Sequence, residues 1–234
     1  MKQKLKARVA AEFLGTAFLV AAVVGSGIMG ERLAGGNTAI ALLANTIATG
    51  AALYALIVTW GPISGAHLNP VVTAVERLQG GMTTREAAGY IVAQTAGGIA
   101  GTMGAHAMFS VPLLELSRHA RGGPAQAWSE FVATFGLLAV ILGCARFRPE
   151  SVAAGVASYI TAAYWFTAST SFANPAVTIA RCFSDTFAGI RPADAPLFLA
   201  AQVCGGAAAL LFFQWILRPD RANDSLDHDA KHTA

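Results

Sequence analysis

The chain has 234 residues, of which 55% are hydrophobic and only 12% charged, with a mean hydropathy of +0.53 and a formal net charge of +3. A soluble domain carries about 25% charged residues, so this composition excludes a soluble enzyme, a nucleic-acid module and a disordered chain. The positive charge is too small and too scattered to imply a polyanionic partner.

Residues free of Asp, Glu, Lys and Arg run over 13–30, 33–75, 87–114, 131–145, 151–180 and 195–217. A spanning helix needs roughly 17–25 apolar residues, so the runs place the chain in a lipid bilayer. The first run is as long as a span and no small-residue cleavage site with a polar mature chain follows it, so it reads as a membrane helix, not a signal peptide. The runs 33–75 and 151–180 are too long for one span and too short for two. Each contains one spanning helix followed by a segment that enters the bilayer and stops partway. The expected spans are 9–30, 38–60, 86–109, 127–146, 151–168 and 195–217, with two re-entrant pieces starting near Asn69 and Asn174.

The chain also repeats itself. Ala11-Glu12-Phe13 recurs as Ser129-Glu130-Phe131, Leu68-Asn69-Pro70-Val71-Val72-Thr73 as Ala173-Asn174-Pro175-Ala176-Val177-Thr178, and Ala93-Gln94-Thr95-Ala96-Gly97-Gly98 as Ala201-Gln202-Val203-Cys204-Gly205-Gly206. The order is kept at offsets of 118, 105 and 108, which marks an internal duplication. Three spans per half is an odd number, so the second half lies inverted. The fold class is therefore an all-α membrane protein of six transmembrane helices and two re-entrant half-helices. It forms one domain over 1–234, with repeats at about 8–110 and 126–218 and a polar tail, 219–234, expected to lack order. With the N-terminus cytoplasmic, 11 of the 16 Lys and Arg residues fall on the inside, which places both termini in the cytoplasm.

Asn is a strong N-cap and Pro fits the first helical position, so each Asn-Pro starts a helix. Residues 69–79 span about 16 Å, half of a hydrocarbon core of about 30 Å. Two such half-helices entering from opposite faces meet N-terminus to N-terminus at mid-membrane. Their positive dipole ends disfavour cations there, while the amide N–H groups of Asn69 and Asn174 face the lumen as donors.

These motifs, with His67-Leu68-Asn69-Pro70-Val71, Ser171-Phe172-Ala173-Asn174-Pro175-Ala176, Glu12, Glu130 and both Ala-Gln-x-x-Gly-Gly segments, resemble the aquaporin and aquaglyceroporin (major intrinsic protein) family from Glu12 to about Leu217. The resemblance implies a passive channel in the cell membrane with Asn69, Pro70, Val71, Asn174, Pro175 and Ala176 at the pore centre. It also implies a homotetramer with a pore in each subunit, and neither an enzyme activity nor a cofactor. Two departures stand out: Val71 replaces the family's usual Ala, and Val177 occupies the position where many members carry a filter arginine. Carried over by spacing, the selectivity filter is Thr49, Ala162, Ser171 and Val177, all small and none charged. A one-turn slip at Ala162 would bring in Tyr164 or Trp165.

Such a filter is wide and lacks a fixed cation, which favours glycerol-like polyols or undissociated metalloid hydroxides such as arsenite, with water, over water alone. Arg181, one turn beyond Val177 on the same helix face, is either a substitute outer-filter cation or a loop-bonding residue. His67 is a pore-lining or gating candidate. By resemblance Glu12 and Glu130 support the re-entrant loops; the alternative is a proton-coupling pair, which would make the protein a secondary transporter. Gly97, Gly101, Gly205 and Ala209 read as close-packing positions. Cys182 is either a thiol-reactive mouth residue or buried and inert. The three cysteines imply no disulfide framework, and His228 and His232 are too isolated for a metal site.

Overall fold

The computed structural model describes residues 3–217; the 219–234 tail lies outside the described residues. Among the described residues eight α-helices follow in the order α1 (Leu5–Leu33), α2 (Thr38–Ser64), α3 (Pro70–Leu78), α4 (Thr84–Phe109), α5 (Pro124–Phe147), α6 (Val152–Phe166), α7 (Pro175–Arg181) and α8 (Ala195–Ile216), with a 3₁₀ turn at Pro149–Ser151 leading into α6. No strand occurs among the described residues. Helices α1, α2, α5 and α8 combine spanning length with high apolarity. α4 is as long, with 26 residues, and α6 is shorter, with 15. The two short helices start at the two Asn-Pro pairs, and each Asn side chain caps its own helix: Asn69 Oδ1 accepts from Val71 N, and Asn174 Oδ1 from Ala176 N and Val177 N.

The duplication reappears as packing. α1 lies most extensively against α4, and α5 against α8. The first glycine of each Gly-Gly pair makes that approach possible: a Cβ at Gly97 would strike the carbonyl of Phe13 on α1, and one at Gly205 the carbonyl of Phe131 on α5. The second glycine turns to a half-helix of the other repeat. Gly98 faces Ala176 and Ala180 of α7, and Gly206 faces Val71 of α3. Each half-helix is therefore held against both α4 and α8.

The contact at Gly206 also corrects the expectation for Val71. Its side chain is buried against α8 and does not line the central cavity.

Replacing Gly97 by Ala should destabilise the fold by about 1–3 kcal/mol, because the obstacle is backbone that cannot rotate away. A lowered unfolding midpoint in detergent would show it. Gly104→Ala, where a Cβ meets open space, should not lower the midpoint and should raise it slightly, since Ala favours a helix interior over Gly by about 0.5–1 kcal/mol.

Candidate functional site: a central cavity between two re-entrant loops

The segments between α2 and α3 and between α6 and α7 are irregular in the same way. Ala66 and Leu68 have φ of 47° and 48°, and their repeat counterparts Ser171 and Ala173 have 52° and 48°. Gly65 and its counterpart Thr170 also have positive φ. Left-handed non-glycine residues are uncommon, and each costs about 1–3 kcal/mol. Two buried carboxylates offset this.

Glu12 accepts from His67 N at 3.0 Å, Leu68 N at 2.7 Å, Ser64 Oγ at 2.6 Å and Gln94 Nε2 at 2.7 Å. Glu130 accepts from Phe172 N at 2.9 Å, Ala173 N at 2.8 Å and Gln202 Nε2 at 2.6 Å. Both carboxylates are completely buried. In a trans peptide the C=O points opposite to the following N–H. Drawing these N–H groups to the carboxylates therefore turns the carbonyls of Ala66 and His67, and of Ser171 and Phe172, away from them, toward the cavity those residues line.

The glutamines anchor the half-helices as well, since Gln94 Nε2 reaches Thr73 Oγ1 and Gln202 Nε2 reaches Thr178 Oγ1, both at 2.9 Å. The two loops are also tied to each other. Asn69 Nδ2 donates to Ala173 O at 2.8 Å, and Asn174 Nδ2 to Leu68 O at 2.7 Å. Each amide thus spends one N–H on the opposite loop and keeps the other, which corrects the expectation that both face the lumen.

A cavity of about 320 Å³ runs past both loops. Its walls are rows at i, i+4 spacing, the helical period that keeps residues on one face: Leu19 and Val23 of α1, Thr49, Leu53 and Ile57 of α2, Leu137, Ile141 and Ala145 of α5, and Val152, Val156, Ile160 and Tyr164 of α6. His67, Asn69, Ser171, Asn174, Val177 and Arg181 complete the lining among others. Pro70, Pro175 and Ala176 are buried behind it. The His67 ring lies edge-on to Tyr90, and its Nδ1 is 3.1 Å from Thr73 Oγ1.

The structure corrects two further site expectations. Ala162 faces outward and is exposed; on α6 the wall position belongs to Tyr164, whose hydroxyl lies 3.2 Å from Thr49 Oγ1. Trp165 is likewise exposed. The lining is not free of charge, because Arg181 borders the cavity while 2% exposed. Its Nε bonds the Ala188 carbonyl, and its guanidinium stacks 3.4 Å from the Phe172 ring centroid. It is thus both a loop-bonding and a cavity-lining residue. Cys182 is buried with Sγ 3.4 Å from Thr178 O and does not line the cavity.

Sequence reasoning counted Arg121 only toward topology. In the structure the loop preceding α5 folds back over this end of the cavity, with Ser117 N on Cys182 O. Arg121 then donates to Gly189 O at 2.8 Å and Phe187 O at 3.2 Å, and its guanidinium lies 5.2 Å from the Phe172 ring centroid. Nothing local in the sequence reports that fold-back. Burial, followed by the charges of Arg121 and Arg181, holds the neighbouring His119 below the usual imidazole range. It is therefore neutral at pH 7.

The family model described as major intrinsic protein matches residues 1–150. Among curated proteins, the chain is 56% identical over 217 residues to aquaglyceroporin AqpS of Rhizobium meliloti (strain 1021), covering 93% of each chain. It is 29% identical over 241 residues to human aquaporin-1, covering 97% of this chain and 87% of that one. Among solved structures, the aquaglyceroporin from Plasmodium falciparum superposes with a TM-score of 0.72 at 22% identity, covering 90% of this chain and 96% of that one.

Glu130→Ala leaves two loop N–H groups and the Gln202 amide without their acceptor, each buried unpaired donor costing about 1–3 kcal/mol. The expected result is a several-kcal/mol loss of stability in detergent, with greatly reduced folded yield. Circular-dichroism melting beside a surface control such as Lys6→Ala measures it.

Proposed function

The chain belongs to the major intrinsic protein family, and from that premise we propose that it is a passive channel for small uncharged polar solutes, carrying glycerol-like polyols, metalloid hydroxides and water. The observation that carries this reading is a cavity that passes both re-entrant loops, apolar along its helix rows and polar along the loop carbonyls and the two Asn amides. A polyol or a neutral trihydroxide has hydroxyls for the polar strip. Its remaining surface meets Val, Ile and Leu, so no full desolvation penalty is incurred.

Asn69 and Asn174 act as the central donors. Thr49, Tyr164, Ser171, Val177 and Arg181 form the outer filter. Glu12 and Glu130 hold the loops. The whole chain, 1–234, works as one channel domain of two inverted repeats, set in the cell membrane with both termini in the cytoplasm and assembled as a homotetramer. The distribution of Lys and Arg supports the orientation, and the family resemblance supports the tetramer. A proton-coupled transporter working through Glu12 or Glu130 finds no support in the geometry. Every oxygen of the two carboxylates accepts a hydrogen bond, and neither residue lines the cavity.

Stopped-flow light scattering of proteoliposomes against a panel of water, glycerol, urea and metalloid hydroxides tests the reading. Wild type should pass glycerol without a proton gradient. Val177→Arg, which adds a guanidinium one turn from Arg181, should cut glycerol flux at least about tenfold, equivalent to about 1.4 kcal/mol in barrier, while retaining water flux. Absence of flux for every neutral solute, or accumulation against a gradient, would overturn the channel reading.

A further inference from the structure

The end of the cavity at Phe172 carries two positive charges, those of Arg121 and Arg181. Of the carboxylates around this rim, Glu31 of α1 acts on His119, and the others are engaged by hydrogen bonds. Asp185 binds the guanidinium and main-chain N–H of Arg118, Glu115 binds Arg118, and Asp194 binds the Arg191 guanidinium and the main-chain N–H of Arg121. The hydrogen bonds from Arg118 and Arg191 hold Asp185 and Asp194 below the usual carboxylate range, so both stay ionised and occupied at neutral pH. Glu130 is committed to its own loop.

Among the described residues, neither Arg121 nor Arg181 makes an ion pair. Both guanidinium carbons lie close to the one Phe172 ring, at 3.4 and 5.2 Å from its centroid. The two charges are thus at most about 9 Å apart, close to the Debye length of about 8 Å in physiological salt.

Their hydrogen-bonding states differ. Arg121 has carbonyl acceptors for Nε and Nη2, with a longer one for Nη1. Among the described residues Arg181 has an acceptor only for Nε, the Ala188 carbonyl, which leaves Nη1 and Nη2 of this cavity-lining residue without one. Ser171, 3% exposed and on the same cavity wall, has a buried hydroxyl without any partner. A buried hydroxyl that lacks a partner is costly unless something supplies one, and the Arg181 fork beside it has no protein acceptor among the described residues. Two parallel N–H donors match the oxygens of a planar or tetrahedral oxyanion, and the Arg121 charge raises the local potential for an anion.

We propose that this end of the channel is a binding site for a small monovalent oxyanion, such as a short carboxylate or sulfonate. Its oxygens sit on Nη1 and Nη2 of Arg181 and on the Ser171 hydroxyl, with Arg121 supplying long-range attraction. This rests on the channel reading above, since an anion seated there stands in the solute path and lowers neutral-solute flux.

The test is glycerol flux into proteoliposomes with methanesulfonate on both sides, against gluconate at equal osmolarity and ionic strength as an anion too large to enter. In wild type, glycerol permeability should fall about twofold at the methanesulfonate concentration that half-fills the site. The effect should vanish in Arg181→Gln and weaken in Ser171→Ala and in Arg121→Gln. Should Arg181→Gln fail to fold, Ser171→Ala carries the comparison, with each variant's methanesulfonate effect scaled to its own glycerol flux in gluconate. Glycerol flux indifferent to methanesulfonate in wild type, or equally sensitive in wild type and Ser171→Ala, overturns the anion site while leaving the channel reading intact. Absence of glycerol flux in wild type overturns both.

Discussion

Everything at the centre of this protein depends on two buried carboxylates drawing in the main-chain N–H groups of loops that would not otherwise hold their shape. Glu12 takes His67 N and Leu68 N, and Glu130 takes Phe172 N and Ala173 N. The left-handed residues on both loops cost energy, and charge-assisted hydrogen bonds in a dry interior are strong enough to offset it. The same bonds determine function, because fixing the N–H direction fixes the carbonyl direction. A row of acceptors along the cavity follows from where two glutamates sit outside it.

The polar centre is then held by steric fit. Gly98 and Gly206 let α4 and α8 approach the half-helix of the opposite repeat, while Gly97 and Gly205 let them approach α1 and α5. The crossed bonds from Asn69 to Ala173 O and from Asn174 to Leu68 O join the two halves at the point where the N-termini of α3 and α7 come together. A cation arriving there meets two positive dipole ends and amide donors, with no carboxylate on the cavity wall at that level. A neutral hydroxyl-bearing solute meets both donors and acceptors along the same wall.

Much of this was legible in the sequence because polar residues inside a membrane are rare and these recur. Glu12 and Glu130, Gln94 and Gln202, and the two Asn-Pro pairs marked the repeat, its inversion and the half-helices. Ser64 with Ser169 and Thr73 with Thr178 carried the same 105-residue offset and could have been picked out as loop and half-helix anchors by it. What could not be read was which face of an apolar helix looks inward. α6 is hydrophobic on all sides, so Ala162 and Tyr164 were indistinguishable until packing against α2 set the helix phase. The Arg121 and Arg181 arrangement was hidden for another reason: it needs a loop about 60 residues away in sequence to fold back over α7, and no local pattern encodes that.

The claim that solutes cross between facing half-helix N-termini is tested most directly by comparing proton and water movement in one preparation. Proteoliposomes loaded with a pH-sensitive dye and given an imposed pH gradient should show osmotic water or glycerol flux far above empty liposomes, with proton entry no faster than in empty liposomes. Protein-dependent proton entry keeping pace with water flux would contradict the account, because a continuous chain of waters would then relay protons past Asn69 and Asn174.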